Sequence, residues 1–404
     1  PEFGFKPIVY KPSNPTYPIV DEALRNEVPD VEIISRPITE PYGIASVLSK
    51  NKIDKISAGI IPDKKRQSWP ERFSLWIRGN LFIPDARVLW VNPSVRYLKD
   101  YIKENNIDAV ITTGPPHSIH ITGMKLREML PINWIADFRD PWTTIGYHKE
   151  LKLSDYAAKK HKLLEKKVLN TADQIIVTSK TTKAEFAKIT NKPIEVITNG
   201  FDVETIERQL PDKKFSLAHI GSLLSERNPE ILWRALSEMV ETIPEFAADL
   251  EIKLIGTVSS DVLKSVQQFS LSDFVNNLGY VSHADAIAHQ RRSQLLLLIE
   301  IDSPNTRGII PGKLFEYMAS GRPIVGIGPA GAEFAEIIAE TNTGDFVDYS
   351  EFSRLKEILS SHYLNFKNGS LKSAGVGIEN YSRRNLTRKL ANLIAQMELL
   401  SVGG

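Results

Sequence analysis

Short apolar runs alternate with amphipathic helical stretches almost from end to end, and this alternation restricts the fold more than any other feature of the chain. Strands that alternate with helices form parallel sheets covered on both faces, and such strands read as continuous apolar runs. The first half places strands at Ile8–Tyr10, Val31–Ile34, Ile107–Thr112, Trp134–Phe138, Gln174–Thr178 and Ile194–Ile197. A second series follows at Phe215–Ile220, Leu250–Ile255, Phe274–Leu278, Leu295–Ile299, Ile324–Ile327 and Gly344–Val347. Helical periodicity fills the gaps, for example over Val95–Asn105, Ile119–Leu130 and Tyr156–Asn170. At 404 residues the chain is too long for one ordinary core. The expectation is an α/β protein of two Rossmann-like, doubly wound domains facing a cleft, joined near the polar stretch Asp202–Lys214. The first domain is expected over residues 1–205 and the second over 206–380, with a last helix within 381–404.

Composition fits a soluble enzyme. Lys+Arg 50 against Asp+Glu 49 leaves a net charge of +1, so global charge predicts no nucleic-acid partner. The absence of cysteine removes disulfides, thiol nucleophiles and thiolate metal sites. No apolar run approaches the about 20 residues of a membrane span. A cytoplasmic location is expected, with the inner face of the cell membrane as a variant of it. Residues Pro1–Phe5 read as the end of a helix and Phe5–Tyr10 as the strand after it. A Rossmann-like half opens with a strand and a Gly-rich turn, so the first strand, loop and helix are expected to be missing. Pro1-Glu2-Phe3 also reads as a cloning remnant.

The densest chemistry lies between Ile309 and Val325. Pro311-Gly312 opens a short helix with Lys313 in its first turn and Glu316 three residues later, on the same face. Gly321 stops the helix and an apolar strand starts at Pro323. A helix start carrying a lysine suits an anion, and a carboxylate one turn on can accept hydrogen bonds from sugar hydroxyls. Phosphate plus hydroxyls points to a nucleotide or a nucleotide sugar.

At these residues the chain resembles family 4 retaining glycosyltransferases of the two-Rossmann-domain (GT-B) type, especially bacterial polysaccharide-assembly members. The resemblance covers nearly the whole length. Its marks are Thr112-Thr113-Gly114-Pro115-Pro116-His117-Ser118-Ile119-His120, Asp137-Phe138-Arg139-Asp140-Pro141-Trp142 and Asn199-Gly200-Phe201-Asp202. In the second half they are His219-Ile220-Gly221-Ser222-Leu223, Gly279-Tyr280-Val281 and Lys313–Gly321. The family's commonest signature has two glutamates separated by seven residues. Glu316 matches the second, but Gly308 stands at the first, which leaves open the donor-sugar contact assigned to that residue.

The resemblance implies a retaining glycosyltransferase that uses a nucleotide-diphosphate sugar, with no metal and no cofactor. It also implies that the last helix, roughly Arg384–Leu400, returns to the first domain on Leu386, Leu390, Leu393, Ile394 and Met397. The donor is expected between Gly221–Arg227, Tyr280–Val281 and Gly312–Glu316, with Ser222 among its contacts and Glu316 at the ribose. Arg227 sits where the family places a basic residue on the diphosphate, whose growing charge must be met by Arg, Lys and helix N-termini. Tyr317 reads as packing.

On the acceptor side, His117 and His120 follow a strand's carboxyl end, where open α/β sheets bind ligands. His117 reads equally as a cap of the helix that Ser118 starts, and His120 as lying in its first turn against the sheet. Asp137, Arg139 and Asp140 read as an ion-pair knot that also offers a carboxylate to acceptor hydroxyls. Arg227, Lys313, His117 and Asp140 form the expected catalytic set. The expected acceptor is a glycan or lipid-linked sugar in bacterial surface polysaccharide synthesis. A nucleotide-sugar 2-epimerase and a donor-binding, catalytically weak fragment are the alternatives.

Two motifs mislead. Gly326-Ile327-Gly328-Pro329-Ala330-Gly331 spells the dinucleotide fingerprint, but Pro329 removes a backbone donor and the motif falls late in its domain. Gly308–Lys313 lacks the spacing of a phosphate loop. Lys64-Lys65-Arg66 with Trp69, Phe73, Trp76, Ile77, Leu81 and Phe82 reads as a peripheral membrane contact or as a loop over the acceptor cleft. Gly79 and Pro84 interrupt any long helix there and favour the loop.

Overall fold

The structure is a computed structural model that describes residues 1–14, 31–39, 76–77, 79–144, 151–202 and 209–402. Lys64–Arg66, Trp69 and Phe73 of the basic, aromatic segment lie outside these residues. The chain divides into two compact units. Unit 1 comprises Pro1–Thr178, Thr182–Ile197 and Arg388–Gly404; unit 2 comprises Ser179–Thr181 and Thr198–Thr387.

Each strand expected from the apolar runs has a counterpart, and every strand pair among the described residues is parallel. In unit 1, among the described residues, β1 (Ile8–Pro12) pairs only with β2 (Glu32–Arg36). A second sheet runs in the order β3 (Ala109–Gly114), β4 (Asn133–Phe138), β5 (Gln174–Val177) and β6 (Ile194–Val196). Helices α1 (Val91–Glu104), α2 (Ser118–Met129), α3 (Asp155–Thr171) and α4 (Lys180–Phe186) follow these strands or precede them. The strand read as Ile107–Thr112 is displaced toward its carboxyl end, because the turn out of α1 takes up Asn105 and Asn106 (φ 49) and the strand begins only at Ala109.

Unit 2 holds β7 (Phe215–Ile220), β8 (Leu250–Ile255), β9 (Val275–Gly279), β10 (Leu295–Ile299), β11 (Ile324–Gly328) and β12 (Gly344–Asp348). Their order across the sheet is β9-β8-β7-β10-β11-β12. The helices between and after them are α5 (Glu230–Thr242), α6 (Pro244–Asp249), α7 (Ser260–Gln268), α8 (His283–Arg292), α9 (Lys313–Ala319), α10 (Glu333–Thr341) and, beyond β12, α11 (Phe352–Lys367). Ser154, Ser259 and Ser282 cap α3, α7 and α8 by accepting a backbone N–H of the first turn, which satisfies donors the helix itself leaves open. The last helix, α12 (Arg383–Val402), begins in unit 2 and ends in unit 1, where Lys389 donates to the Val196 carbonyl at 3.0 Å and pairs with Glu195 at 2.6 Å.

Strand β10 shows why the sequence dictates this sheet. Successive side chains leave a strand on opposite faces. Leu295, Leu297 and Ile299 join one core with Leu217, Leu232 and Val325, while Leu296 and Leu298 join another with Ala218, Phe315 and Phe334. A run apolar at every position is stable only where both faces are covered. The spurious dinucleotide fingerprint has a packing explanation in the second of these cores. A Cβ at Gly326 would lie 3.1 Å from the Phe334 ring, and one at Gly328 2.9 Å from it. These glycines admit α10 onto β11.

In unit 1, α2 crosses the sheet on a glycine. A Cβ at Gly123 would fall 2.2 Å from Nε1 of Trp134, whose N–H donates to Thr112 Oγ1 at 2.9 Å. Gly123→Ala should therefore destabilise unit 1 by about 1–3 kcal/mol, since the rigid indole cannot yield. Chemical denaturation followed by tryptophan fluorescence checks this.

Candidate functional site

Strand order in unit 2 reverses at β7. The chain builds outward from β7 through β8 to β9, then returns to its other side to build β10, β11 and β12. Connections therefore leave β7 and β10 toward opposite faces, and a crevice opens beyond their carboxyl ends, where ligands of such sheets bind. The β7–β10 ladder pairs only Leu217 with Leu295 and Ala218 with Leu296. Beyond Ala218, side chains take over from the ladder.

The carboxyl edge of β7, β8 and β9 is made of glycines. Gly221 has φ +114, Gly256 φ +116 and Gly279 φ +66, a region that costs L-residues strain. Gly221 N–H donates to the Ile255 carbonyl at 2.7 Å, and Gly256 N–H donates to the Gly279 carbonyl at 2.6 Å. A Cβ at Gly256 would stand 2.5 Å from the Gly221 oxygen. The loop after β7 can pass this close to the next strand only without side chains.

Charged groups gather over this edge. Lys313 folds back from the start of α9 and donates to the Ile220 carbonyl at 3.1 Å, with its Nζ 3.3 Å from His219 Nε2. Tyr317, one turn on, is fully buried and accepts the Ile220 N–H at 3.0 Å. Its burial raises the phenol pKa well above its ordinary value, so it stays protonated. Glu300 closes β10 with its side chain 1% exposed. Its carboxylate accepts Arg227 Nε at 3.2 Å, Arg227 Nη2 at 3.3 Å and the Ile301 N–H at 2.8 Å, and its own carbonyl accepts the Tyr349 hydroxyl at 2.8 Å. Burial, then the positive charge of Arg227, lower the Lys313 pKa to about 8, against a smaller upward pull from Glu300. Burial first, then the neighbouring Lys313 and Arg227 charges, push His219 well below the ordinary histidine range, so its ring is neutral. Two cations thus stand against one buried carboxylate, which leaves the edge electropositive and suited to a polyanion.

The other expected donor contacts lie around this centre. Glu316 accepts from the buried Gln290 amide at 2.9 Å. Ser222 and Gly312 are exposed, Tyr280 is 77% exposed just past β9, and Val281 is half-buried. A Cβ at Gly308 would lie 2.7 Å from Thr181 Cβ, so the position offers no room for the family's first glutamate. Sequence reasoning gave no role to His219 or Glu300. A single acid ending the apolar run Leu295–Ile299 was the signal that could have found the second.

In unit 1, the residues after β3 and β4 are deeply set. His117 precedes α2 but makes no side-chain cap; Asp85 instead accepts the Ser118 N–H at 2.8 Å. The capping reading is thereby corrected. The His117 ring is 5% exposed and stacks on Trp142 at 5.0 Å with planes 3° apart. His120 is fully buried, 4.2 Å from the Phe138 ring, with Nδ1 2.9 Å from Thr112 Oγ1. Its burial, with the nearby His117, lowers its pKa well below the ordinary value and keeps it neutral. Arg139 pairs with Asp137 at 3.4 Å and donates to the Ile197 carbonyl at 3.2 Å. Burial raises the pKa of Asp137 and of Asp140, while Arg139 pulls both down.

Comparison with known proteins follows the two units. Residues 62–205 match Glycosyltransferase Family 4, and residues 214–359 match Glycosyl transferases group 1. No curated protein matches the chain. Among solved structures, a glycosyltransferase from Rickettsia africae is similar with TM-score 0.59 at 15% identity, covering 93% of this chain and 86% of that one. Anabaena HepE in complex with UDP gives TM-score 0.53 at 14% identity, covering 77% and 82%. The lipopolysaccharide outer core galactosyltransferase WaaB gives 0.51 at 14%, covering 94% and 87%. Identities this low speak for the fold, and the family matches speak for the activity. The chain is a glycosyltransferase of the GT-B fold, with a Family 4 domain followed by a group 1 domain.

Proposed function

We propose that this enzyme transfers a sugar, with retention and without a metal, from a nucleoside-diphosphate donor held by unit 2. The acceptor is a glycan or lipid-linked sugar of bacterial surface polysaccharide synthesis. The observation that carries the reading is the meeting of Lys313 and Arg227 at the point where the unit 2 strand order reverses. As the glycosidic bond breaks, negative charge grows on the departing diphosphate, and two fixed cations at a partly desolvated edge stabilise it. Glu316 is assigned to donor hydroxyls, with Gln290 fixing its carboxylate. Tyr280 and Val281 are assigned to the base, and Asp137 and Asp140 to acceptor hydroxyls. HepE was solved with UDP and WaaB is a galactosyltransferase of lipopolysaccharide outer core; both support the reading by analogy.

Lys313→Ala should weaken nucleoside-diphosphate binding by roughly 10–100-fold, the size of a charge-assisted hydrogen bond, and leave nucleoside binding almost unchanged. Calorimetric titration with both ligand types checks this, and equal losses would remove the phosphate role. Product appearing without any acceptor would favour an epimerase.

The pH dependence has a defined sign. Lys313 is charged below its pKa of about 8 and loses its charge as pH rises through it. Diphosphate affinity should therefore be full below about pH 8 and fall above it. Folding lowers this pKa from the ordinary lysine value, so the same group makes the unliganded protein more stable as pH rises from about 8. Affinity and stability measured in parallel should move in opposite directions over that interval.

A further inference from the structure

We infer that His219 is a positioning residue of the donor site: its imidazole fixes the Lys313 ammonium over Gly221 and thereby sets the preference for diphosphate over nucleoside. This rests on Lys313 being a phosphate ligand.

Two backbone partners, Leu297 and Ser222, bear on the His219 ring. His219 is 1% exposed, and its Nδ1 lies 3.1 Å from the Leu297 carbonyl of β10. A carbonyl only accepts, so in the tautomer whose Nδ1 donates to Leu297, Nε2 presents a lone pair. That lone pair faces Lys313 Nζ at 3.3 Å, and the ammonium gives a second hydrogen to Ile220 O at 3.1 Å. An ammonium has three hydrogens. Two are thus committed to protein, and the third remains for a ligand. A Cβ on Gly221 would lie 3.4 Å from Nζ, so glycine keeps that side clear.

Leu297, His219 and Lys313 form one chain of hydrogen bonds across the β10–β7 seam. It begins where the ladder between these strands has ended at Leu296 and Ala218. The Leu297 carbonyl belongs to β10 and the Ile220 carbonyl to β7, so both sheet strands that flank the crevice locate the ammonium. A lysine has a long flexible stem, and holding it beforehand spares the binding step that ordering. Burial supports the arrangement, because a charged imidazole would offer no acceptor and would repel the lysine. The other groups facing Nζ are Arg227 and Glu300 from the loops after β7 and β10, with Tyr317 below and Tyr349 behind Glu300.

The test compares wild type, Lys313→Ala, His219→Asn and His219→Gln by calorimetry across about pH 6 to 10. The probes are UDP, GDP, ADP, inorganic pyrophosphate and the matching nucleosides. Asparagine keeps a donor for Leu297 but is too short to reach Lys313. His219→Asn should weaken the best diphosphate roughly ten-fold with nucleoside binding unchanged. It should also move the alkaline midpoint from about 8 toward the ordinary lysine range, because the released ammonium regains solvent. Glutamine returns an acceptor toward Nζ and should recover part of both effects; if the asparagine variant does not fold, the glutamine midpoint decides. A residue that only packs would lower thermal stability and leave the midpoint in place. That outcome, with Lys313→Ala still defective, overturns the role of His219 alone. No diphosphate or pyrophosphate binding by wild type, or none lost in Lys313→Ala, overturns the donor-site reading together with it.

Discussion

The short ladder between β7 and β10 is the constraint on which the donor site depends. Two parallel strands that stop pairing after Ala218 leave backbone groups of the continuing strands without sheet partners, and such buried groups must be satisfied. Here side chains do it: His219 for the Leu297 carbonyl, Tyr317 for the Ile220 N–H, and Lys313 for the Ile220 carbonyl. Two of these three come from α9, so finishing the sheet and carrying a cation to its edge are one structural act. The same residues that make the fold complete make the edge electropositive.

Strand positions were legible because burial on both faces demands an unbroken apolar run, and Leu295–Ile299 meets that demand on its own. Boundaries were less legible where a turn decides them, as with Asn106 before β3. The Lys313 and Arg227 loops could be found because glycine, proline and charge cluster there in sequence. His219 and Glu300 could not be ranked in the same way. Each is one polar residue beside an apolar strand, and its meaning depends on which strands become neighbours. Strand order is a property of the whole domain, and the lone acid after Leu295–Ile299 marks Glu300 as unusual without saying what it meets.

The histidines after β3 show the converse. His117 and His120 stand at a carboxyl edge in sequence, which invites a ligand role. The structure sets them among Phe138, Trp142 and Thr112, where aromatic packing and one hydroxyl define their surroundings. A histidine's position along the chain says where its backbone lies. Whether its ring meets solvent depends on the volume of neighbours that arrive from elsewhere, such as Trp142 from the loop beyond β4.

The close passage of Gly256 beneath Gly221 has a consequence for how this protein tolerates change. Any side chain at 256 would push on the carbonyl of 221, and so on the backbone beneath the Lys313 ammonium. A mutational scan scored on transfer would then rank Gly256 with the ligand-binding residues, although it is placed on a different strand and contributes no functional group. Divergence at the two glycines should be locked together, so that relatives lacking one would be expected to have rebuilt the loop carrying the other.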